Sequence, residues 1–138
     1  MKNLKDILYK VSIDEVVGST NVNINSVQFD SRKIAENDLF VAQKGVTVDG
    51  HLFIDKVIAL GAKVIVCETI PGKTIEGVTY VKVVDSNSAL AIIASNYFGN
   101  PSLKLKLIGV TGTNGKTTIA TLLYQLFKNA GLKVGLLS

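Results

Sequence analysis

The chain predicts an α/β fold in two parts: a small α/β domain over residues 1–100, then over 101–138 the first strand, phosphate loop, helix and strand of a P-loop domain. Three observations carry this. Runs of β type and of helical periodicity alternate through the first hundred residues, the pattern of an α/β layer structure. A cluster of breakers, Phe98-Gly99-Asn100-Pro101-Ser102, interrupts the chain once. After it, a β-type run, a glycine-rich loop and an amphipathic stretch follow in direct succession.

Each element has its own justification. Leu4, Ile7, Leu8 and Val11 recur at helical spacing, so a short opening helix is expected over Asn3 to Val11. A polar, β-prone stretch follows, in which Asn25 to Phe29 leads into Asp30-Ser31-Arg32. Asp38 to Ala42 (DLFVA) reads as a buried strand ending before the turn residues Lys44-Gly45. Asp49-Gly50-His51 is a turn, after which Phe53, Val57 and Leu60 share a helical face and Gly61 supplies the stop. Lys63 to Cys67 is a strand, Ile70 to Gly77 a loop and Thr79 to Val84 another β run. Asp85 or Ser86 can cap the helix that contains Leu90, Ile93, Ala94 and Tyr97. Gly99, Asn100 and Pro101 end it, and the domain boundary is placed there.

Bulk properties exclude several classes. With 47% apolar residues and no low-complexity tract or internal repeat, the chain is expected to fold around a core. No apolar stretch reaches the length of a membrane span, and the charged N-terminus lacks the uninterrupted apolar region of an export signal, so a cytoplasmic location without membrane association is expected. Cys67 is the only cysteine, lies in the apolar run KVIVCE and is expected to be a buried, inert thiol. The net charge of +4 is local: Met1 to Asn100 holds ten basic and eleven acidic residues, Pro101 onward five lysines and no acid. Lysines spread along a strand and a helix without interleaved aromatics suit a phosphate site and solvated surface, not a nucleic-acid face.

The clearest chemical motif is Thr111-Gly112-Thr113-Asn114-Gly115-Lys116-Thr117-Thr118, set between the β-type run Leu105 to Val110 and a helix over Thr117 to Ala130. In that helix Ile119, Leu122, Leu123, Leu126 and Phe127 form one apolar face, and Gly131 ends it. Gly112 and Gly115 free the backbone to turn its N–H groups inward around phosphate oxygens, and the helix N-terminus adds unsatisfied donors. Lys116 is placed to reach the β and γ phosphates of ATP as the catalytic cation, and the Thr117 hydroxyl to ligate Mg²⁺. The strict P-loop pattern has glycine at position 110, where this chain has Val110. Lys133 to Leu137 is expected to begin the next parallel strand. Because no Asp or Glu follows Asp85, the carboxylates that hold Mg²⁺ are missing, and the ATPase part is expected to be truncated.

Taken together, DSR at 30–32, NDLFVAQKGVTVDGHLFI, VVDSNSALA and FGNPSLKLKLIGVTGTNGKTT resemble the front of the Mur ligase family, and within it the MurE branch, over nearly the whole chain. The resemblance implies a three-domain ligase of peptidoglycan synthesis. Its first domain holds the UDP of UDP-MurNAc-L-Ala-D-Glu, its central domain binds ATP and Mg²⁺, and its third brings meso-diaminopimelate or L-lysine. The D-glutamyl carboxylate is activated as an acyl phosphate and attacked by the amine. On this chain the resemblance places uridine-nucleotide contacts at Phe29, Ser31, Val46, Thr47 and Val48, and the ATP loop at Gly112, Thr113, Asn114, Gly115, Lys116, Thr117 and Thr118. Val46 to Val48 are less polar than is common in the family, so their backbone is expected to contribute more than their side chains.

Other readings stand beside it. Asp30-Ser31-Arg32 alone reads as a capped turn with a surface ion pair. His51, the single histidine, reads as structural, with no evident metal or catalytic partner, and Lys44 can face a phosphate or simply be solvated. The MurF branch shares DSR and DLFVA..G; folylpolyglutamate synthase shares the ATP loop but places it near its start. A generic P-loop kinase leaves residues 1–100 unexplained. A non-catalytic UDP-sugar-binding module is the expected behaviour of the isolated 138-residue chain.

Overall fold

The computed structural model describes residues 1–45 and 48–137. Spatially the chain divides into two compact units, 1–104 and 105–138. Among the described residues of the first unit, five strands form a mixed sheet in the order β2 (Ile13–Val17), β7 (Thr79–Val83), β6 (Val64–Cys67), β5 (Leu39–Val41), β4 (Val27–Gln28). The last four are mutually parallel, and β2 runs antiparallel to β7 with a register shift between Ile13 and Glu15. A separate antiparallel pair joins β1 (Lys2–Asn3) to β3 (Asn23–Ile24).

The sequence explains why this sheet is covered on both faces. Its central strands are continuous apolar runs, and the twofold alternation of a strand sends successive side chains to opposite sides. Leu39, Val41, Val64, Val66, Val81 and Val83 meet Leu4, Ile7 and Leu8 of the N-terminal turn and Ala89 and Ile93 of α3 (Ser86–Tyr97). Their neighbours Phe40, Ala42, Ile65, Cys67 and Tyr80 meet Ile54 and Val57 of α2 (Ile54–Ala59).

Several boundaries differ from expectation. The opening helix, α1, covers only Leu4–Ile7, because the chain turns at Lys10, whose φ of 61° is incompatible with a continuing helix. Its Leu8 and Val11 still reach the core from the turn. The segment after His51 begins as one 3₁₀ turn, Gly50–Phe53, before α2, and Gly61 with φ 106° ends it. The "β-prone" stretch resolves into β2 and β3, too polar for strand periodicity to separate them.

The second unit holds α4 (Lys116–Asn129), ended by Gly131 at φ 82°. The two strands expected on either side, Leu105 to Val110 and Lys133 to Leu137, are not formed. A strand exists by its ladder, and a lone parallel pair with one crossover helix leaves both faces too bare to hold. The apolar residues meant for a core here stay exposed, with Leu107 90% and Leu122 59% accessible.

Candidate functional site

Four parallel strands present their C-terminal ends at one edge of the sheet, the edge where open α/β sheets bind ligands. The chain leaves β4 into Phe29-Asp30-Ser31-Arg32, β5 into Gln43 to Gly50, β6 into Glu68 to Gly72 and β7 into Val84-Asp85-Ser86.

After β4, Asp30 closes a turn by accepting from the Lys33 amide at its backbone oxygen, 3.0 Å. Its carboxylate takes the Arg32 guanidinium in a two-pronged pair, Nε to Oδ1 at 2.9 Å and Nη2 to Oδ2 at 2.8 Å, and also the Arg32 amide at 3.0 Å. Those donors hold the Asp30 carboxyl well below the usual carboxylate range. The turn leaves Ser31 half-buried and Phe29 exposed, a large apolar ring at the sheet edge.

After β5, two glycines are obligatory. A Cβ on Gly45 would lie 2.7 Å from the Val48 carbonyl oxygen, and one on Gly50 would lie 2.8 Å from the amide nitrogen and carbonyl oxygen of Gln43. The described ends of the loop therefore lie close together, with the Gly45 amide donating to the Val48 carbonyl oxygen at 3.1 Å and Lys44 and Asp49 bridged across its neck. Val48 is exposed beside that neck. Val46 and Thr47, the other expected contacts of this loop, lie outside the described residues.

A polar network that the sequence reading missed fastens the loop ends. The Lys44 amide donates to Ser86 Oγ at 3.3 Å, and Gln43 Nε2 donates to Asn87 Oδ1 at 2.6 Å. Ser86, fully buried, donates both its amide and its hydroxyl to Glu68 Oε1, at 3.0 and 2.8 Å. These donors lower the Glu68 carboxyl from its ordinary value. The Glu68 amide in turn donates to His51 Nε2 at 2.9 Å, and His51 Nδ1 sits 2.6 Å from Asp49 Oδ1. His51 is thus structural, as expected, but with two partners. Its link to Glu68 depends on β5 and β6 being neighbours, which no local pattern announces. The capping question at α3 is also settled: Asp85 is the cap, accepting from the Asn87 and Ser88 amides, and Ser86 faces inward. Between the β5 and β6 loops lies an open cleft of about 380 Å³ bordered by Lys44, His51, Glu68 and Ile70.

In the second unit, Gly112 (φ 151°) and Gly115 (φ 74°) take conformations that disfavour side chains, and Gly115 caps α4 with no side-chain bond to its first amides. Those amides stay available to an anion. Lys116 Nζ folds back onto the Gly112 carbonyl oxygen at 2.6 Å, placing its charge over the loop. Thr113, Asn114, Thr117 and Thr118 are exposed around it. The free amides at the start of α4 and the Lys116 ammonium fit a nucleotide phosphate chain. For Mg²⁺ the fit is partial: the loop offers the Thr117 hydroxyl, and no group of three acidic, His or Cys residues that could hold a metal occurs among the described residues.

The model of the Mur ligase family catalytic domain matches residues 23–98, and that of the Mur ligase middle domain matches 110–138. The chain belongs to the Mur ligase family. Among curated Mur ligases, the UDP-N-acetylmuramoyl-L-alanyl-D-glutamate--2,6-diaminopimelate ligase of Cytophaga hutchinsonii is 52% identical over 98% of the chain, that of Phocaeicola vulgatus 46% over 98%, and the first such ligase of Clostridium acetobutylicum 46% over 97%. The chain spans about 28% of the length of each of these relatives. Solved Mur ligases share the fold: a MurF from Acinetobacter baumannii aligns over 92% of this chain and 27% of its own with a TM-score of 0.61 at 24% identity. The MurF ligase of Thermotoga maritima, solved in complex with ADP, aligns over 76% of this chain and 23% of its own, with a TM-score of 0.52 at 37% identity.

Proposed function

We propose that this chain is the nucleotide-handling front of an ATP-dependent ligase of peptidoglycan synthesis, which joins a diamino acid to UDP-MurNAc-L-Ala-D-Glu. On this reading residues 1–100 form the UDP-binding domain, with Phe29, Ser31 and Val46 to Val48 at the uridine nucleotide, and 101–138 begin the ATP-binding domain. The single observation that carries it is the coexistence, in one chain, of a tied loop cluster at the C-terminal sheet edge and a glycine loop opening a helix. The curated relatives are diaminopimelate ligases, which favours diaminopimelate over lysine, and the identity they share with the chain favours the MurE branch over MurF.

The residues present suit these roles. The amides of the Gly112 to Thr118 loop would surround the phosphates, Lys116 would neutralise their charge, and the Thr117 hydroxyl would face Mg²⁺. When bound, ATP supplies the phosphoryl group that converts a poorly electrophilic carboxylate into one carrying a leaving group. At the sheet edge, Phe29 offers a ring face for a base and the Asp30–Arg32 pair stiffens the turn that carries Ser31. No acid follows Asp85, so Mg²⁺ carboxylates and the diamino-acid site would come from elsewhere in a full-length ligase, and the 138-residue chain would bind without turning over. No helix among the described residues is long and apolar enough to cross a membrane. A cytoplasmic enzyme without membrane partners remains part of the proposal, and the absence of a nucleic-acid partner is supported by the local charge distribution.

Isothermal titration of the chain with UDP and with UDP-MurNAc-L-Ala-D-Glu tests the reading. Binding of both, weakened at least severalfold by Ser31→Ala, is the expected result. Absence of binding to the folded chain, together with unimpaired turnover by a full-length Ser31→Ala ligase, would overturn the assignment of this edge.

A further inference from the structure

The network behind the sheet edge closes on itself. Lys44 donates to Ser86, Ser86 to Glu68, the Glu68 amide to His51, His51 to Asp49, and Asp49 is bridged back to Lys44. Five residues from three separate segments form one ring, and the neck of the β5 loop is part of it. The direction of the bonds fixes the histidine chemistry. A backbone N–H can only donate, so Nε2 must present its lone pair to Glu68, and the ring proton resides on Nδ1 facing Asp49. His51 holds this state with its side chain only 17% exposed.

An imidazole that merely filled space would not need both nitrogens engaged. Here each bond joins something different: Nδ1 reaches the residue at the loop neck, and Nε2 reaches the first residue beyond β6. Lys44 and Asp49, at the two ends of the loop, are thereby tied to residues that follow β6 and β7. Loops position ligand groups well only when their ends are held this way, since a displacement of about 1 Å at a binding group can cost on the order of a hundredfold in function.

We infer that His51 is a positioning residue for the uridine-nucleotide site, acting through the loop that Lys44 and Asp49 close. This rests on the reading of the sheet edge as that site. His51 touches no nucleotide atom in this role; it sets where Lys44 and Val48 stand. A glutamine can replace its accepting atom, because the Gln carbonyl oxygen occupies roughly the place of Nε2 and can take the Glu68 amide. An alanine cannot.

The test uses the whole chain, UDP as probe, and the variants His51→Ala and His51→Gln. Expected are a loss of about tenfold or more in UDP affinity for alanine and retention within about threefold for glutamine. Both should have cooperative thermal transitions close to the wild type. Because His51 is the only histidine, its ¹⁵N resonances report the tautomer without ambiguity; the Nδ1–H form is expected, with the Glu68 amide slow to exchange and faster in the alanine variant. Unchanged UDP affinity in folded His51→Ala, equal losses in both variants, or an Nε2–H tautomer overturns the inference. If His51→Ala does not fold, the glutamine variant and the tautomer decide. A wild-type chain that fails to bind UDP while showing the Nδ1–H tautomer instead overturns the assignment of the site, and the ring then serves the fold alone.

Discussion

Asp30 and Arg32 show how little a strong-looking pair need stabilise. Arg32 is largely exposed, so its attraction to Asp30 is screened by water and offset by the ordering of a long side chain. Its effect is local, a stiff turn presenting Ser31 and Phe29. Arg32→Ala is therefore expected to leave the unfolding midpoint nearly unchanged while weakening UDP binding, separable by a melt and a titration on the same protein. At Lys116 the balance is reversed: the residue contributes nothing to a core and lies across the phosphate loop. Lys116→Ala should retain the helix yet lose binding of a fluorescent ADP analogue, by about tenfold or more, because a charge-assisted contact to phosphate disappears. Cys67, fully buried, has its thiol pushed up to about 11 by desolvation, so it should resist a disulfide reagent at pH 8 until the chain is unfolded in denaturant.

Elements here are short, and their order in space makes the fold. β5 contributes three residues, yet Leu39, Phe40 and Val41 all bury because helices cover both faces of the sheet. Ile93 on α3 sits wholly within the core that the N-terminal turn completes. Its replacement by alanine should cost about 2–5 kcal/mol, read from urea midpoints, since the surrounding sheet cannot collapse into the cavity. Gly50 makes a different demand. Any side chain there meets backbone atoms of Gln43, which cannot rotate away, so Gly50→Ala should destabilise by about 1–3 kcal/mol and loosen the β5 loop. α4 illustrates the limit of an element alone: its periodicity and glycine stops form the helix, but its apolar face remains exposed.

For the whole molecule, the carboxylates with altered proton affinity all lie in the first unit and are all lowered. Asp30, Asp49, Glu68 and Asp85 each accept hydrogen bonds as carboxylates, from Arg32, His51, Ser86 and Ser88 first among their partners, and each is lowered from ordinary values of 3.8 or 4.5. The unfolded chain therefore binds more protons as the pH falls below those ordinary values. Their contribution to stability, least for the water-screened Asp30–Arg32 pair, is present above about pH 4.5 and is progressively lost on acidification below it. The urea midpoint should be flat from pH 7 to about pH 5 in these groups and fall between pH 4.5 and pH 3, with Glu68→Gln reducing the slope.

The sequence by itself determined the alternation of α and β, the apolar central strands, the glycine stops at Gly61 and Gly131, and the glycine-rich loop that opens α4, because each is a local property of periodicity or backbone freedom. It also carried the family, through motifs whose spacing survives without a structure. Tertiary structure decided the rest. Strand order brought Glu68 beside His51 and Ser86 beside Lys44, contacts between residues 17 and 42 positions apart that depend on which strands are neighbours. It also decided that Leu105 to Val110 and Lys133 to Leu137 are not strands, since a β-prone run becomes a strand only when a partner accepts and donates its backbone hydrogen bonds.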